Sequence, residues 1–313
     1  MGKIAFLFSG QGAQYTGMGK ELSEASAAAK DVFTLADRVR PGTSGQCFSA
    51  DKETLGRTVN TQPCVYCVDL AAAAALEENG IHPDLTAGFS LGEIAALTFS
   101  GVFSPEEGFS FVCRRGEYMD AAAQKTGGGM LAILKLADEK VQEFCARLKG
   151  VYPVNYNCPG QLVAAGEKAE LEILAKEVAD AGGRAVPVAV SGAFHSPYMN
   201  EAASRLETDL KTVSVNAPKI PVYADFSAEP YSAVPDEIRN TAVNQVNHPV
   251  LWRKILERMA SDGADVFIEV GPGKTLSGLV KKTLPNAAVY HVENSETLAK
   301  TVAEVKAGRD ASC

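Results

Sequence analysis

The stretch that decides the fold is Asp84-Leu85-Thr86-Ala87-Gly88-Phe89-Ser90-Leu91-Gly92-Glu93. Apolar residues lie before the serine and an apolar helical run follows it, which predicts a β-strand, a sharp turn and a helix. A serine on such a turn has a strained backbone, and side chains at Gly88 or Gly92 would collide with it. This Gly-x-Ser-x-Gly spacing is typical of a nucleophile elbow. Ser90 is therefore a candidate nucleophile, with an ordinary glycine-rich turn as the alternative.

A second glycine-rich loop lies near the start of the chain. Lys3–Phe8 is an apolar run that predicts a buried strand of a parallel sheet, and Ser9–Gln14 follows it. A phosphate-binding loop is one interpretation, but the third glycine and the lysine of those motifs are missing. Loops at the carboxyl ends of parallel strands bind ligands, so exposed N–H groups here could form half of an oxyanion hole.

The order of predicted elements changes in the middle of the chain. Residues 124–190 follow the order βαββαβ, which is the ferredoxin-like order. Residues 1–123 and 191–313 instead predict strands, loops and helices of a larger α/β sheet. We therefore expect an α/β fold with a hydrolase-like parallel-sheet core, residues 1–123 and 191–313, and an inserted ferredoxin-like small domain, residues 124–190.

Composition narrows the class of protein. The formal net charge of −8 over 313 residues argues against a nucleic-acid binder. No apolar run approaches the length of a membrane span or a signal peptide, so we expect no membrane association. Seven scattered cysteines fit a reducing cytoplasm. Cys64-x-x-Cys67 lacks a second pair or suitably spaced histidines, so we predict a buried helix face and no metal site.

An activated serine needs a base within hydrogen-bond reach. The chain has four histidines, and only His195 lies on a loop at a predicted strand end, between glycine and proline. No acid in a suitable loop between Ser90 and His195 completes a triad. We therefore expect a Ser-His dyad whose imidazole is oriented by a backbone or amide carbonyl, with Gln245 as a candidate.

The motifs in chain order resemble the family of malonyl-CoA:acyl-carrier-protein transacylases of type II fatty acid synthesis. The resemblance covers essentially the whole chain and rests on Gly10-Gln11-Gly12-Ala13-Gln14, Gly88-Phe89-Ser90-Leu91-Gly92-Glu93, Arg115-Gly116, Asn157-Cys158-Pro159-Gly160-Gln161, Gly192-Ala193-Phe194-His195, Gln245 before Asn247-His248-Pro249-Val250, and Glu269-Val270-Gly271-Pro272-Gly273-Lys274.

The resemblance implies a role for each matching position. Ser90 would carry the malonyl ester, and His195 would be its base and later its acid. Backbone N–H groups of Gln11 and Leu91 would form the oxyanion hole. Arg115 would pair with the malonyl carboxylate through its two-pronged guanidinium.

Three further positions bear on the resemblance. Gln245 would help to orient His195. Phe89 departs from the family, which more often has histidine beside the nucleophile. Phe194 matches malonyl-selective members, whereas relatives that select branched chains usually have serine there.

The implied reaction moves a malonyl group from malonyl-CoA to the phosphopantetheine thiol of acyl carrier protein, without a cofactor or metal. The alternatives are a serine esterase or thioesterase, a polyketide-pathway acyltransferase of the same family, and a non-catalytic interaction module. We expect a cytoplasmic monomer. An acidic chain should meet an acidic carrier through a local basic patch, for which Arg184 and Lys274 are candidates.

Overall fold

The computed structural model describes residues 2–310. The strands in this part of the chain are β1 (Lys3–Phe8), β2 (Leu85–Gly88), β3 (Gly129–Leu134), β4 (Tyr152–Cys158), β5 (Gln161–Gly166), β6 (Arg184–Pro187), β7 (Val222–Tyr223), β8 (Ala264–Val270) and β9 (Ala288–Val292). The helices are α1 (Lys20–Ala25), α2 (Ala27–Val39), α3 (Thr43–Ser49), α4 (Lys52–Gly56), α5 (Thr58–Glu78), α6 (Leu91–Phe99), α7 (Pro105–Thr126), α8 (Asp138–Arg147), α9 (Lys168–Asp180), α10 (Asn200–Leu210), α11 (Pro235–Asn244), α12 (Trp252–Ser261), α13 (Thr275–Thr283) and α14 (Ser295–Asp310).

The larger sheet has five parallel strands in the order β7-β2-β1-β8-β9. β1 lies at its centre, and its residues alternate between two packed faces. Ile4, Phe6 and Phe8 pack on the side of α5 and α6. Ala5 and Leu7 pack on the opposite side, against α12 and α13. Burial on both faces explains why the β1 sequence is a continuous apolar run.

The smaller sheet has four antiparallel strands in the order β4-β5-β3-β6. With α8 after β3 and α9 after β5, this is the ferredoxin-like βαββαβ order, and it falls inside the segment 124–190. The predicted fold class, a parallel α/β core with a separate small antiparallel sheet, is confirmed. Cys158-Pro159-Gly160-Gln161 predicts a four-residue turn between β4 and β5, but the turn is tighter, because Cys158 already pairs with Gln161.

Two helix predictions need correction. Residues 19–40 are rich in alanine, lysine and glutamate, which predicts one helix, but the structure breaks it at Ser26. The Ser26 backbone is extended, and its side chain caps α2 by accepting a hydrogen bond from the Ala29 N–H at 3.1 Å. Thr61 as a capping residue and Pro63 in a first turn predict a helix that starts there, but α5 starts earlier, at Thr58. The Thr61 N–H already donates to the Arg57 carbonyl at 2.8 Å, so Pro63 lies inside the helix.

The carboxyl ends of β1, β2 and β8 meet at one edge of the larger sheet. Phe8 lies in register with Gly88 on one side and with Val270 on the other. The loops that follow these strands are therefore neighbours in space, and both glycine-rich stretches lie at this edge. Over residues 2–310, no helix combines the length and the apolar character needed to cross a membrane.

Candidate active site

Ser90 forms the turn between β2 and α6. Its backbone has φ 57° and ψ −107°, a conformation that side chains disfavour. The flanking glycines make the turn possible. A Cβ on Gly88 would lie 2.0 Å from the carbonyl of Gly92, and a Cβ on Gly92 would lie 2.3 Å from the Phe8 carbonyl oxygen. The turn therefore requires glycine at both positions.

His195 meets Ser90 although 105 residues separate them in the chain. The distance from Ser90 Oγ to His195 Nε2 is 2.7 Å. His195 also has a positive φ, 59°, and only 3% of its surface is exposed. This geometry places the imidazole where it can accept the hydroxyl proton.

The imidazole is oriented by a carbonyl. His195 Nδ1 lies 2.9 Å from the backbone oxygen of Gln245, to which it donates its proton. Gln245 is the residue that ends α11, so its carbonyl is one of the helix-end acceptors without a partner inside the helix. Among the described residues, no carboxylate contacts the His195 ring.

Burial and the nearby Arg115 guanidinium lower the pKa of His195 to about 4. The imidazole is therefore neutral at neutral pH, with its proton on Nδ1 and a free lone pair on Nε2. Ser90 Oγ–H donates to that lone pair. This is the protonation state that a general base requires.

Arg115 lies in α7 with only 1% of its surface exposed. Its Nη1 donates to Gln62 Oε1 at 2.7 Å, and its Nη2 donates to Ser90 Oγ at 3.1 Å and to Gln245 Oε1 at 2.8 Å. Burial lowers the pKa of Arg115 to about 10, so the group remains charged at neutral pH. The neighbouring Arg114 points away and pairs with Asp209 at 2.8 Å.

Gln245 holds several parts of the site together. Its carbonyl accepts from His195, its Oε1 accepts from Arg115, and its Nε2 donates to the carbonyl oxygen of Ser90. The prediction named Gln245 as the group that orients His195. In the structure the backbone orients the histidine, whereas the side chain holds the arginine and the serine peptide.

The backbone N–H groups of Gln11 and Leu91 are candidates for an oxyanion site. Gln11 and Leu91 each follow, by three residues, the register pair of Phe8 and Gly88 on neighbouring strands. Their loops touch, since a Cβ on Gly10 would lie 2.8 Å from the carbonyl oxygen of Phe89. Within the described part of the chain, neither the Gln11 N–H nor the Leu91 N–H has a hydrogen-bond acceptor. Leu91 also begins α6, whose N-terminus favours negative charge.

The sequence did not reveal several buried polar residues around the site. The Asp225 carboxylate accepts the Ser90 N–H at 2.7 Å, and Glu93 accepts bonds from Asp225 and Tyr231. Gln62 fixes Arg115 from α5. Gln62 directly follows the polar residues Asn60 and Thr61 in α5, so no local pattern singles it out. Asp225 follows β7 at the same sheet edge as Ser90.

A cavity of about 230 Å³ lies beside the elbow, and its lining includes Gln11 and Phe89. Asn155 and Asn157 of β4 also line it, and their side-chain oxygens are buried without a hydrogen-bond partner among the described residues. Phe89 packs edge-on against Trp252, with ring centroids 5.3 Å apart. The residue beside the nucleophile is therefore part of the cavity wall and of the core.

Comparison with known proteins agrees with this geometry. Residues 5–307 match the model of the acyl transferase domain family. A malonyl CoA-acyl carrier protein transacylase of Bacillus subtilis is 38% identical and aligns over 99% of both chains. The crystal structure of a malonyl CoA-acyl carrier protein transacylase from Clostridium perfringens superposes with a TM-score of 0.95 at 37% identity, covering 99% of each chain.

A third relative was solved with its partner. It is a malonyl-transacylase in complex with a type II polyketide synthase acyl-carrier protein, with a TM-score of 0.93 and 31% identity over 96% of this chain and 99% of that one. The similarity extends over the core, the elbow and the inserted sheet. The chain therefore belongs to the acyl transferase family that includes the malonyl CoA-acyl carrier protein transacylases.

Proposed function

We propose that this enzyme transfers a malonyl group from malonyl-CoA to the phosphopantetheine thiol of an acyl carrier protein, through an ester on Ser90. The observation that carries the proposal is the position of Arg115. A buried guanidinium donates directly to the oxygen of the candidate nucleophile. An acyl group attached to that oxygen would have a cation within reach of a carboxylate at its far end.

The first half-reaction uses the dyad. His195 Nε2 takes the Ser90 proton as Oγ attacks the thioester carbonyl, and the N–H groups of Gln11 and Leu91 stabilise the oxyanion. The C–S bond then breaks, and the imidazolium returns its proton to the coenzyme A sulfur. In the second half-reaction, the carrier thiol gives its proton to His195 and attacks the ester carbonyl. The bond from the carbonyl carbon to Ser90 Oγ then breaks, and His195 returns the proton to Oγ. No cofactor is needed for either step.

Arg115 distinguishes malonyl from neutral acyl groups. The Arg115 Nη2 bonds to Ser90 Oγ and Gln245 Oε1 in the free enzyme, and its Nε has no hydrogen-bond partner among the described residues. A malonyl carboxylate would offer two oxygens to this donor set. An acetyl group would leave the buried charge without a counterion, which is costly.

The cavity suits the pantetheine arm that both substrates share. Pantetheine carries two amide N–H groups on a flexible chain. The polar side chains of Asn155 and Asn157 line the cavity, where they could pair with such donors. Gln11 and Phe89 also line it, and Phe89 directly precedes the reacting serine.

The proposal also covers the cellular compartment and the oligomeric state. Free thiols in the structure suit a reducing cytoplasm. They are Cys47, Cys64, Cys67, Cys113, Cys145 and Cys158. We propose that the enzyme acts there as a monomer. The carrier belongs to fatty acid synthesis in this proposal, and a polyketide carrier is the alternative within the same family.

The deciding experiment is acylation followed by intact-protein mass measurement. Wild type mixed with malonyl-CoA should gain one malonyl group, and the adduct should disappear when holo acyl carrier protein is added. Ser90→Ala should take up none, and a full-stoichiometry adduct on that variant would overturn the assignment. Release of free malonate at the same rate with and without carrier would instead indicate a thioesterase. Fatty acid and polyketide carriers compared at equal concentration identify the pathway.

A further inference from the structure

The two peptide units that flank the Ser90 Cα are each held by a side chain. The Ser90 N–H donates to Asp225 Oδ2 at 2.7 Å, and the Ser90 carbonyl oxygen accepts from Gln245 Nε2. The Ser90 carbonyl and the Leu91 N–H belong to one planar peptide group. Fixing the carbonyl therefore also fixes the direction of that N–H. Two side chains distant in sequence therefore determine where the nucleophile and one oxyanion donor point.

Asp225 is itself held through its backbone by buried groups. It is fully buried, its N–H donates to Glu93 Oε2 at 2.9 Å, and its carbonyl accepts from the Leu251 N–H at 2.7 Å. Tyr231 in turn donates to the other oxygen of Glu93. The support behind Ser90 therefore runs from Asp225 through Glu93 to Tyr231, and all of it is buried.

Two neighbouring carboxyl groups are buried here, so their charge state matters. Burial, followed by the charge of Glu93, raises the pKa of Asp225 well above its ordinary value. Its Oδ1 has no hydrogen-bond partner among the described residues, whereas its Oδ2 accepts the Ser90 N–H. An asparagine has nearly the same shape and keeps an oxygen that can accept the Ser90 N–H.

We propose that Asp225 is a positioning residue for acyl transfer, which holds the Ser90 N–H and thereby fixes the turn that presents Ser90 Oγ. This inference rests on the proposed function, because it takes Ser90 as the nucleophile. The elbow needs such support, since Ser90 has a backbone conformation that serine rarely adopts. Asp225 does not line the cavity, so its effect should fall on the chemical step and spare substrate binding.

The test compares Asp225→Ala, Asp225→Ser and Asp225→Asn in the full-length enzyme. Alanine removes the acceptor of the Ser90 N–H. Serine leaves a polar group beside Glu93 but is too short to reach Ser90. Both should lower kcat by about 10- to 100-fold, the effect expected of a small displacement of a reacting group, with an almost unchanged KM for malonyl-CoA. Asparagine should stay within about fivefold of wild type, because it keeps the hydrogen bond to Ser90.

Tyr223→Phe is the matched control. Tyr223 lies in β7, just before Asp225, and its hydroxyl donates to Asp262 at 2.6 Å. The substitution removes that hydrogen bond, which does not involve Ser90, and should leave kcat unchanged. Wild-type kcat in the folded alanine or serine variant would overturn the proposal, as would an asparagine variant as impaired as alanine. If the alanine variant does not fold, the comparison of the serine and asparagine variants tests the proposal. Ser90→Ala measured in parallel separates the two claims, because its acylation would refute the nucleophile and not merely the role of Asp225.

Discussion

At the scale of single residues, Arg115 should determine which acyl groups the enzyme accepts. Arg115→Ala should reduce malonyl transfer by about 100-fold or more, because removing one partner of a buried charge pair costs several kcal/mol. The same change should raise acetyl transfer relative to malonyl transfer, since no unpaired guanidinium remains. Competing malonyl-CoA and acetyl-CoA in one acylation assay measures the ratio directly.

Arg114→Ala is the control for that experiment. Arg114 pairs with Asp209 on the outside of α7, so its loss should leave the malonyl-to-acetyl ratio nearly unchanged. If Arg115→Ala kept the wild-type ratio, another group would have to recognise the carboxylate.

His195 gives a prediction for pH. Its pKa falls from 6.5 to about 4 on folding, so between these values the unfolded chain binds a proton that the folded protein refuses. Stability from this group is therefore present above pH 6.5 and is lost as pH falls towards 4. Thermal unfolding of wild type and His195→Gln over this window should show a smaller acid-induced decrease in Tm for the variant. Equal slopes would contradict the lowered pKa.

At the scale of secondary structure elements, the β2–α6 turn depends on the absence of side chains. Gly88→Ala would place a Cβ 2.0 Å from the Gly92 carbonyl, which is backbone and cannot move aside cheaply. We expect the free energy of unfolding to fall by at least about 2 kcal/mol. Gly278→Ala is the matched control, because a Cβ there meets nothing within 4 Å in α13. Denaturant titration should show the control unchanged or slightly stabilised.

Local patterns predicted elements whose signals lie within the element. β1 is a continuous apolar run, and α7 begins with the capping box of Ser104 and Glu107. Local patterns did not predict the start of α5. Thr61 and Pro63 favour a start at Thr61, but α5 begins three residues earlier, where Thr58 and Asn60 are buried. Tertiary packing overrides a local preference there.

The same distinction applies to the site. The sequence pointed to Ser90 and His195 because glycines and a strand end mark their loops. Asp225 lies 135 residues after Ser90, and Tyr231 reaches Glu93 across 138 residues. No spacing rule links residues this far apart. Their roles depend on β7 lying beside β2, which only the folded sheet reveals.

At the scale of the whole molecule, we predict that charge governs the encounter with the carrier. The chain has a net charge of −8, and the family resemblance implies an acidic carrier, so a local cation should be needed. Lys274 is exposed, directly precedes the cavity-lining Thr275, and has no ion pair among the described residues. Lys274→Glu should lower kcat/KM for the carrier severalfold at low salt, and about 0.5 M salt should abolish the difference.

Arg184 is the second candidate and lies on β6, one of the two edge strands of the small sheet. Arg184→Glu measured in the same way shows whether that edge contributes. Rates that stay constant from low to high salt for wild type and both variants would exclude electrostatic steering by these residues.

The central position of β1 also has a consequence for biosynthesis. β1 pairs with β2 on one edge, but its other edge pairs with β8, which is translated much later. At typical elongation rates, a ribosome needs roughly ten to thirty seconds to pass from β2 to β8. During that interval an apolar strand has an unpaired edge, the feature that promotes association between chains. A nascent chain stalled before residue 264 would thus carry the catalytic serine together with an open, aggregation-prone sheet.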